Sequence, residues 1–361
     1  MSRFRIAIAG TGFGQKYAVG LKANPEVEVV GVFSRRPERA AAMAEKYEIA
    51  FSTRRFEELL DIPELDAVAV VTPNSTHAGF VRTAIRAGKH VICDKPLALS
   101  ASEAARLYRN AEEAGIRHVT FVPYRFSPAA PAMKQAMDEG QVGRVVSVAA
   151  SWGVDLRDEP LRWRFQRRFS GPGVIADLGS HLLDLVMWWM GPIRRVLGRS
   201  RTLVTERPAE VGGRRRPVDV PDESWALVEF AGSGVGSVRL SWNTTRDQSI
   251  EIEGHRGKLI YESASLLQWL EGNGEFEPSA RFVLAGAAER SAQLPTTGKH
   301  DFQRPEEALG QMFRDIVSYL RGGEKPECVA TFREGVEVLH VIDALERSNE
   351  TEGWLEVVPL A

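Results

Sequence analysis

The first third of the chain alternates short β-branched segments with segments whose apolar residues recur at helical spacing. This alternation is typical of βαβ units and predicts a parallel sheet of about five strands with helices between them. The predicted strands are Phe4–Ala9, Val27–Phe33, Asp66–Val71, His90–Cys93 and His118–Val122. The predicted helices include Pro37–Tyr47, His77–Ala87 and Ser100–Ala114, the last with the capping-box pair Ser100 and Glu103.

After about residue 123 the apolar segments follow one another through glycine-rich turns, with few helices between them. Such a run predicts an antiparallel sheet and an α+β second domain. The strands predicted there are Arg144–Trp152, Val196–Thr205, Ser224–Phe230, Gly236–Trp242, Ser249–Glu253 and Lys258–Tyr261. Two helices are predicted near the end, around Pro305–Arg321 and Arg333–Ser348. We therefore expect two domains, residues 1–122 and 123–361.

Composition and charge narrow the class of protein. The 361 residues are 43% hydrophobic and 26% charged with a net charge of −2, so no overall positive field favours nucleic acid or anionic lipid. The longest later apolar stretch, Leu182–Met190, is shorter than the ~20 residues of a membrane span. Cys93 and Cys328 are too few for a disulfide framework and lack zinc-site spacing, which favours a reducing cytoplasm. Small molecules or other proteins are the expected partners.

A glycine-rich turn follows the first predicted strand and precedes a helical pattern. Gly10-Thr11-Gly12-Phe13-Gly14-Gln15 has the setting in which Gly10 allows a tight turn and Gly12 admits a pyrophosphate to the helix N-terminus. The sixth position is Gln15, with Gly14 one place early. We interpret the segment as a dinucleotide-binding turn, the alternative being a purely structural turn.

The second predicted strand ends in Ser34-Arg35-Arg36, where an NAD site usually carries an acid. A hydroxyl and two guanidiniums suit a 2′-phosphate, so NADP is favoured over NAD. The alternative is a solvated arginine pair that opens the next helix.

Two further strand ends carry candidate chemistry. Thr72-Pro73-Asn74-Ser75-Thr76-His77 follows the third strand, at the edge of the sheet where ligands bind, although helix capping by Asn74 or Ser75 explains the same residue types. Cys93-Asp94-Lys95-Pro96 follows the fourth strand. A buried lysine beside an alcohol can polarise a developing carbonyl, whereas an isolated lysine is usually a surface residue.

A third segment brings together titratable residues. Asp177, His181 and Asp184 have i, i+4, i+7 spacing and share one face if a single helix includes them. Histidine suits proton transfer near neutral pH, and a carboxylate can orient its ring. The alternative is a helix N-terminus capped by Asp177 that precedes a buried, satisfied histidine.

Taken in order, the glycine turn, Thr-Pro-Asn-x-x-His, Asp-Lys-Pro and Asp-x-Gly-x-His-x-x-Asp resemble the motifs of the Gfo/Idh/MocA oxidoreductases. The resemblance covers nearly the whole chain and includes Tyr124-Arg125-Phe126 and Trp163-Arg164. It implies an α/β Rossmann domain with a doubly wound parallel sheet, followed by an α+β domain with a large open antiparallel sheet. Asp94 stands where the family more commonly has glutamate. Because the sixth position of the glycine motif is Gln15, the sequence does not decide how closely the first helix packs on the sheet.

The resemblance also implies an activity and a site. The activity is hydride transfer between a nicotinamide and a secondary alcohol of a sugar, inositol or related polyol. In it, His181 removes the hydroxyl proton, Lys95 hydrogen-bonds the oxygen, and either Asp177 or the substrate hydroxyls hold the His181 ring. Residues expected to bind the dinucleotide are Gly10, Gly12, Phe13, Gly14, Ser34, Arg35, Arg36, Thr72, Pro73, Asn74, His77, Asp94 and Lys95. Those expected to bind substrate are Lys95, Tyr124, Arg125, Trp163, Arg164, Asp177 and His181.

The resemblance also implies an oligomer. Relatives in this family commonly associate through the second-domain sheet, so a homodimer or homotetramer is expected. The same scaffold also allows a nicotinamide-dependent glycoside hydrolase that oxidises the sugar transiently, or a non-catalytic protein that senses a cofactor or sugar.

Two arginine-rich segments have open or structural interpretations. Arg162–Arg168 either contacts substrate or packs the domains, and Arg214-Arg215-Arg216 is expected to be a solvated loop. The other histidines, including His255, His300 and His340, lack metal-ligand spacing, so no metal is expected.

Overall fold

The computed structural model describes residues 2–210, 212–232, 234–263, 279–284, 291–294 and 304–360. The described residues divide into two compact units. The first contains residues up to 123 together with 304–336, and the second contains residues from 124 to 294 together with 337–360.

The first unit contains a six-stranded, wholly parallel sheet with the order β3-β2-β1-β4-β5-β6. Its strands are β1 Phe4–Ala9, β2 Val27–Phe33, β3 Phe51–Thr53, β4 Ala67–Val70, β5 His90–Asp94 and β6 His118–Phe121. Its first helices are α1 Gly14–Lys22, α2 Pro37–Lys46, α3 Phe56–Leu60, α4 Asn74–Arg86 and α5 Ala101–Glu113. This strand order is that of a Rossmann fold.

The predicted elements of this unit are confirmed, with one strand missed. β1 and β2 have the predicted bounds, because strands covered on both faces read as nearly continuous apolar runs. The expectation of about five strands is wrong by one: β3 has only three residues, two of them exposed, and is too short to show a period. Ser100 caps α5 as predicted, its Oγ accepting a hydrogen bond from the Glu103 N–H (3.3 Å).

The second unit is built on a nine-stranded sheet with the order β16-β15-β14-β13-β7-β12-β11-β8-β17. Its strands are β7 Val145–Asp155, β8 Ile193–Arg201, β11 Glu223–Phe230, β12 Val235–Ser241, β13 Asn243–Gly254, β14 Gly257–Glu262, β15 Ser279–Leu284, β16 Ser291–Gln293 and β17 Leu355–Glu356. A separate hairpin consists of β9 Glu206–Pro208 and β10 Arg215–Pro217. The remaining described helices are α6 Ala129–Asp138, α7 Arg167–Ser170, α8 Val174–Asp177, α9 Gly179–Met190, α10 Pro305–Leu320 and α11 Phe332–Thr351.

The large sheet is antiparallel except at one pair. β12 runs parallel to β7, because the chain leaves β7 and returns through three helices and a long excursion before β12 forms. Hairpin reasoning along the sequence cannot detect such a pairing. Along the middle of β12 the burial alternates: Val238 and Leu240 are buried, while Arg239 between them is partly exposed. Within the described residues, no helix combines the length and apolarity that crossing a membrane requires.

Candidate active site

The turn between β1 and α1 is shaped by its glycines. Gly10 has a φ of +120°, and a Cβ there would lie 2.1 Å from the Val71 carbonyl oxygen, so glycine is required for steric and conformational reasons. Apart from Gly12 itself and its two chain neighbours, no heavy atom of the described residues lies within 4 Å of the position that a Cβ of Gly12 would take. The backbone is therefore open to a ligand at Gly12.

Gly14 takes the packing role that the motif assigns to its last glycine. A Cβ on Gly14 would lie 3.2 Å from Ile8 Cγ2, so its absence lets α1 approach β1 closely. Gln15 instead faces outward, and its Oε1 accepts a hydrogen bond from Lys46 Nζ (3.1 Å). The departure at Gln15 therefore does not loosen the packing of α1.

The N-terminus of α1 fits an anionic group. Phe13 occupies the cap position and brings no side-chain oxygen, and the first turn contains no acidic residue. The first N–H groups and the positive end of the helix dipole therefore stand beside the open Gly12 backbone, an arrangement that holds pyrophosphates. These residues fit a dinucleotide.

The ends of β2 and β3 form an arginine-rich edge. Arg35 and Arg36 are exposed, and the Arg36 N–H donates to Ser34 Oγ (3.2 Å). The Ser34 N–H donates to the Thr53 carbonyl oxygen (3.1 Å), which places the exposed Arg54 beside this segment. Sequence reasoning missed Arg54 because it missed β3.

His77 joins two of the predicted segments. It is 1% exposed, and its Nδ1 and Nε2 each lie 2.7 Å from a carbonyl oxygen, those of Pro96 and Thr72. Burial lowers the pKa of His77 and outweighs the opposing effect of the two carbonyls, with the nearby Lys95 charge lowering it further. Because a neutral imidazole carries one N–H, His77 donates to one of these two carbonyl oxygens at a time, and its ring lies between the turn at Thr72 and the segment after β5.

The turn at Thr72 does not use the predicted cap. α4 begins at Asn74 with Pro73 in the cap position, so Asn74 and Ser75 lie in the first turn of the helix and not at its N-cap. Thr76 Oγ1 donates a hydrogen bond to the Pro73 carbonyl oxygen (2.8 Å) and lies 2.7 Å from Thr72 Oγ1. The turn is closed by these threonines.

Lys95 lies just beyond the end of β5 and is partly exposed. Its N–H donates to Asp94 Oδ1 (3.0 Å), and its peptide bond to Pro96 is cis. Cys93, which precedes them, is fully buried, and burial raises the pKa of its thiol. Lys95 therefore lies at the carboxyl edge of the parallel sheet, with its N–H bonded to the neighbouring Asp94 carboxylate.

Asp177 and His181 lie on two helices, so the condition for one shared helical face, a single helix that includes both, is not met. α8 ends at Asp177, Leu178 intervenes, and α9 begins at Gly179 with His181 in its first turn. Asp177 Oδ2 accepts hydrogen bonds from Arg164 Nε (2.9 Å) and Trp242 Nε1 (3.2 Å). The sequence predicted Trp242 only as a strand residue, because its indole donor comes from 65 residues away.

His181 is 2% exposed and packs against an aromatic pair. The Tyr124 ring meets the His181 ring edge-on, with centroids 4.9 Å apart. Tyr124 in turn meets Trp152 at 4.7 Å. The imidazole is therefore held in place by the short 3₁₀ turn Pro123–Phe126 and by β7.

Asp184, on α9, forms a buried ion pair with Arg125. Arg125 Nε and Nη2 donate to Asp184 Oδ2 and Oδ1, each at 2.8 Å, and both side chains are nearly inaccessible. The Arg125 guanidinium also lies 5.0 Å from the Trp188 ring centroid. The pair fixes the Tyr124-Arg125 turn to α9, one turn after His181.

Two family models match the chain. The model described as an oxidoreductase family with an NAD-binding Rossmann fold matches residues 4–121, and the GFO/IDH/MocA C-terminal domain model matches residues 131–260. The chain belongs to the Gfo/Idh/MocA oxidoreductase family. The family assignment and the two-part fold class are thereby confirmed.

Named relatives match the chain over its length. Levoglucosan dehydrogenase of Pseudarthrobacter phenanthrenivorans is 29% identical over 99% of this chain and 99% of that protein. A D-xylose 1-dehydrogenase (NADP⁺) of Haloferax volcanii is 28% identical over 98% and 99%. A solved structure of levoglucosan dehydrogenase in complex with NADH and L-sorbose has a TM-score of 0.86 at 27% identity and covers 99% of this chain and 100% of that one. This Gfo/Idh/MocA oxidoreductase is therefore similar to sugar dehydrogenases.

Within this Gfo/Idh/MocA chain, the Arg162–Arg168 segment makes contacts inside the second unit. The Arg164 guanidinium lies 5.0 Å from the Trp163 ring centroid, and Arg167 pairs with Glu346. Arg164 is the member that reaches Asp177.

The remaining histidines show no shared site. His255 Nε2 lies 3.2 Å from Arg144 Nη2, His340 is on α11, and His300 lies outside the described residues. Across the described ranges, no three His, Cys, Asp or Glu side chains come together as a metal-binding group.

Proposed function

We propose that this protein is a dehydrogenase that transfers hydride between NADP and a secondary alcohol of a sugar or polyol. The observation that carries the proposal is the buried His181 in the first turn of α9, four residues after Asp177, whose carboxylate accepts hydrogen bonds from two donors. Histidine next to an ordered carboxylate is suited to remove a hydroxyl proton. The similarity to named sugar dehydrogenases supports a sugar as substrate.

The proposed roles follow from these contacts. His181 accepts the hydroxyl proton, and Asp177, through its charge and its place before α9, stabilises the imidazolium that forms. Lys95, just beyond β5 at the carboxyl edge of the parallel sheet, donates a hydrogen bond to the reacting oxygen. The nicotinamide, when bound, accepts the hydride from the carbinol carbon.

Further residues of the proposed site divide by unit. For the substrate, we propose contacts from Tyr124, Trp163 and Arg164. Arg125 is proposed to act through its pair with Asp184, since its guanidinium is buried. For the dinucleotide, the proposed residues are Gly10, Gly12, Phe13, Gly14, Thr72, Pro73, Asn74, His77 and Asp94, with domain 1–122 binding the dinucleotide and 123–361 the sugar.

A preference for NADP is proposed from the arginine-rich edge. Arg35 and Arg36 follow β2, Arg54 follows β3, and the Ser34 N–H bond to Thr53 brings the two ends together. Guanidiniums bind a 2′-phosphate through charge-assisted hydrogen bonds, whereas an acid at this position would repel it.

A homodimer or homotetramer is proposed from the outer face of the nine-stranded sheet. Trp225 and Leu227 on β11 are 37% and 50% exposed, and they line a groove of about 540 Å³ together with Ala149 and Arg239. A second copy of the sheet would cover these apolar side chains. We also propose a reducing compartment, because the chain has only two cysteines, Cys93 and Cys328, and they form no disulfide with each other.

The test is reduction of NADP⁺ and NAD⁺, followed by absorbance, with a panel that includes levoglucosan, D-xylose, hexoses, inositols and glycosides. We expect NADPH formation, and we expect Lys95→Met to lower turnover by about 10²–10⁴-fold with dinucleotide affinity nearly unchanged. Lys89→Met is the matched control, because Lys89 precedes the opposite end of β5 and donates to the Leu65 carbonyl oxygen.

Near-normal turnover by Lys95→Met would refute the role of Lys95. Release of sugar from a glycoside without net cofactor reduction would identify a hydrolase. Cofactor binding without either reaction would identify a sensor.

A further inference from the structure

The loop between β7 and α7 carries Trp163 and Arg164, and one buried arginine outside the loop holds it. Arg207 lies on β9 and is 1% exposed. Its Nη1 donates to the carbonyl oxygens of Leu156 (2.5 Å) and Glu159 (2.8 Å) and lies 3.3 Å from that of Arg157. The loop is also tied to this strand by the Leu161 N–H, which donates to the Pro208 carbonyl oxygen (2.8 Å).

The Arg207 guanidinium is also connected to Asp177 through two aromatic side chains, Phe165 and Trp242. Its Cζ lies 3.8 Å from the centroid of the buried Phe165 ring. Phe165 meets Trp242 edge-on at 5.3 Å, and Trp242 Nε1 donates to Asp177 Oδ2. Phe165 also directly follows Arg164, the second donor to the same carboxylate oxygen. Arg207 therefore supports both donors to Asp177.

Replacing this guanidinium leaves the loop without its anchor. Burial lowers the pKa of Arg207, which reflects the desolvation of its charge, while Asp222 and Glu159 favour the charged form. When Arg207 is replaced, the Leu156 and Glu159 carbonyl oxygens each lose a charge-assisted hydrogen bond, while the Leu156 carbonyl keeps its bond from the Glu159 N–H. A neutral, shorter-reaching side chain thus favours a rearranged loop in which those carbonyls meet water.

We propose that Arg207 is a positioning residue for sugar oxidation: it fixes the 156–166 loop so that Arg164 and Trp242 hold Asp177 in its working position. The inference rests on the proposed dehydrogenase function. Arg207 acts through these neighbours and itself contacts neither substrate nor dinucleotide in this assignment. Its loss therefore affects sugar-dependent kinetics and not dinucleotide affinity.

The experiment compares Arg207→Met and Arg207→Lys with Arg215→Met in the full chain. Arg215 is the control because it lies on the same hairpin but is exposed and pairs with Glu206 at the surface. For Arg207→Met we expect kcat/KM for the sugar to fall about tenfold or more, with the NADPH Kd from calorimetry within about twofold of wild type. Arg207→Lys keeps the charge and one carbonyl bond, so an intermediate loss is expected.

A second readout does not depend on activity. The loop contains trypsin sites at Arg157, Arg162 and Arg164, and we expect limited trypsin digestion of Arg207→Met to cleave there sooner than in wild type and Arg215→Met. In a double-mutant cycle with Arg164→Met, the combined loss of kcat/KM should be smaller than the product of the two single losses, because both act on Asp177.

Two results would overturn the inference: unchanged trypsin protection in Arg207→Met, or a fall in NADPH affinity that parallels the fall in sugar kcat/KM. Absence of turnover in the wild-type protein would instead overturn the proposed function. The anchoring by Arg207 is then still decided by the trypsin pattern.

Discussion

The ion pair between Arg125 and Asp184 gives the sharpest stability prediction. Two hydrogen bonds of 2.8 Å join the side chains, which are 4% and 3% exposed. Arg125→Met removes the cation and leaves a carboxylate in a site that water does not reach. Breaking a buried pair in this way costs about 3–5 kcal/mol. For a unit of 150–250 residues this corresponds to a fall in Tm of about 6–20 °C.

A matched control separates burial from geometry. Arg157 and Asp155 form a pair with the same two-point geometry, Nε–Oδ1 3.0 Å and Nη2–Oδ2 2.7 Å, but their side chains are 55% and 41% exposed. Arg157→Met should leave Tm within experimental scatter of wild type, because exposed pairs contribute little. The double variant Arg125→Met/Asp184→Leu should recover most of the loss, since no unpaired charge then remains buried.

Tryptophan fluorescence is the suitable assay. All eight tryptophans lie between residues 152 and 354, and none lies in the part of the chain that forms the parallel sheet. The thermal transition seen by fluorescence therefore reports on the unit that contains the pair. Equal Tm values for Arg125→Met and Arg157→Met would refute the reasoning, as would a double variant that is no more stable than Arg125→Met.

Two further predictions concern the first unit. Gly12→Ala should leave the Tm unchanged and raise the Kd for NADPH, because its Cβ meets open space where the pyrophosphate is proposed. Gly10→Ala should instead lower the Tm, because its Cβ meets the Val71 carbonyl oxygen. Calorimetry and thermal melts distinguish the two variants, and unchanged NADPH affinity in Gly12→Ala would contradict the proposed pyrophosphate site. Burial lowers the pKa of His77 and His118 from their ordinary value of about 6.5, so their neutral forms stabilise the fold above that pH and this contribution is lost as the pH falls through the folded-state pKa. The urea midpoint followed by circular dichroism should therefore decline from about pH 7 to pH 5, less steeply in His118→Gln, and a flat midpoint would contradict the sign.

Much of the fold could be predicted from local pattern. β1 and β2 were predicted to the residue, because a strand buried on both faces is a nearly continuous apolar run; Gly10 directly follows β1, and Ser34 directly follows β2. The Ser100 cap is equally local, since donor and acceptor are three residues apart. The family resemblance also rests on short motifs, each of which occupies one strand end or one helix start.

The sequence by itself determined the parallel sheet, the glycine turn and the candidate residues Lys95, Asp177 and His181, because each depends on neighbours within a few positions. The tertiary structure alone decided which side chains partner them. Trp242 and Arg207 reach the Asp177 region from distant strands, and the parallel pairing of β12 with β7 joins segments separated by many residues. Such partners are selected by burial and hydrogen bonding between segments that are remote in the chain, and the local periodicity of the sequence does not reveal these contacts.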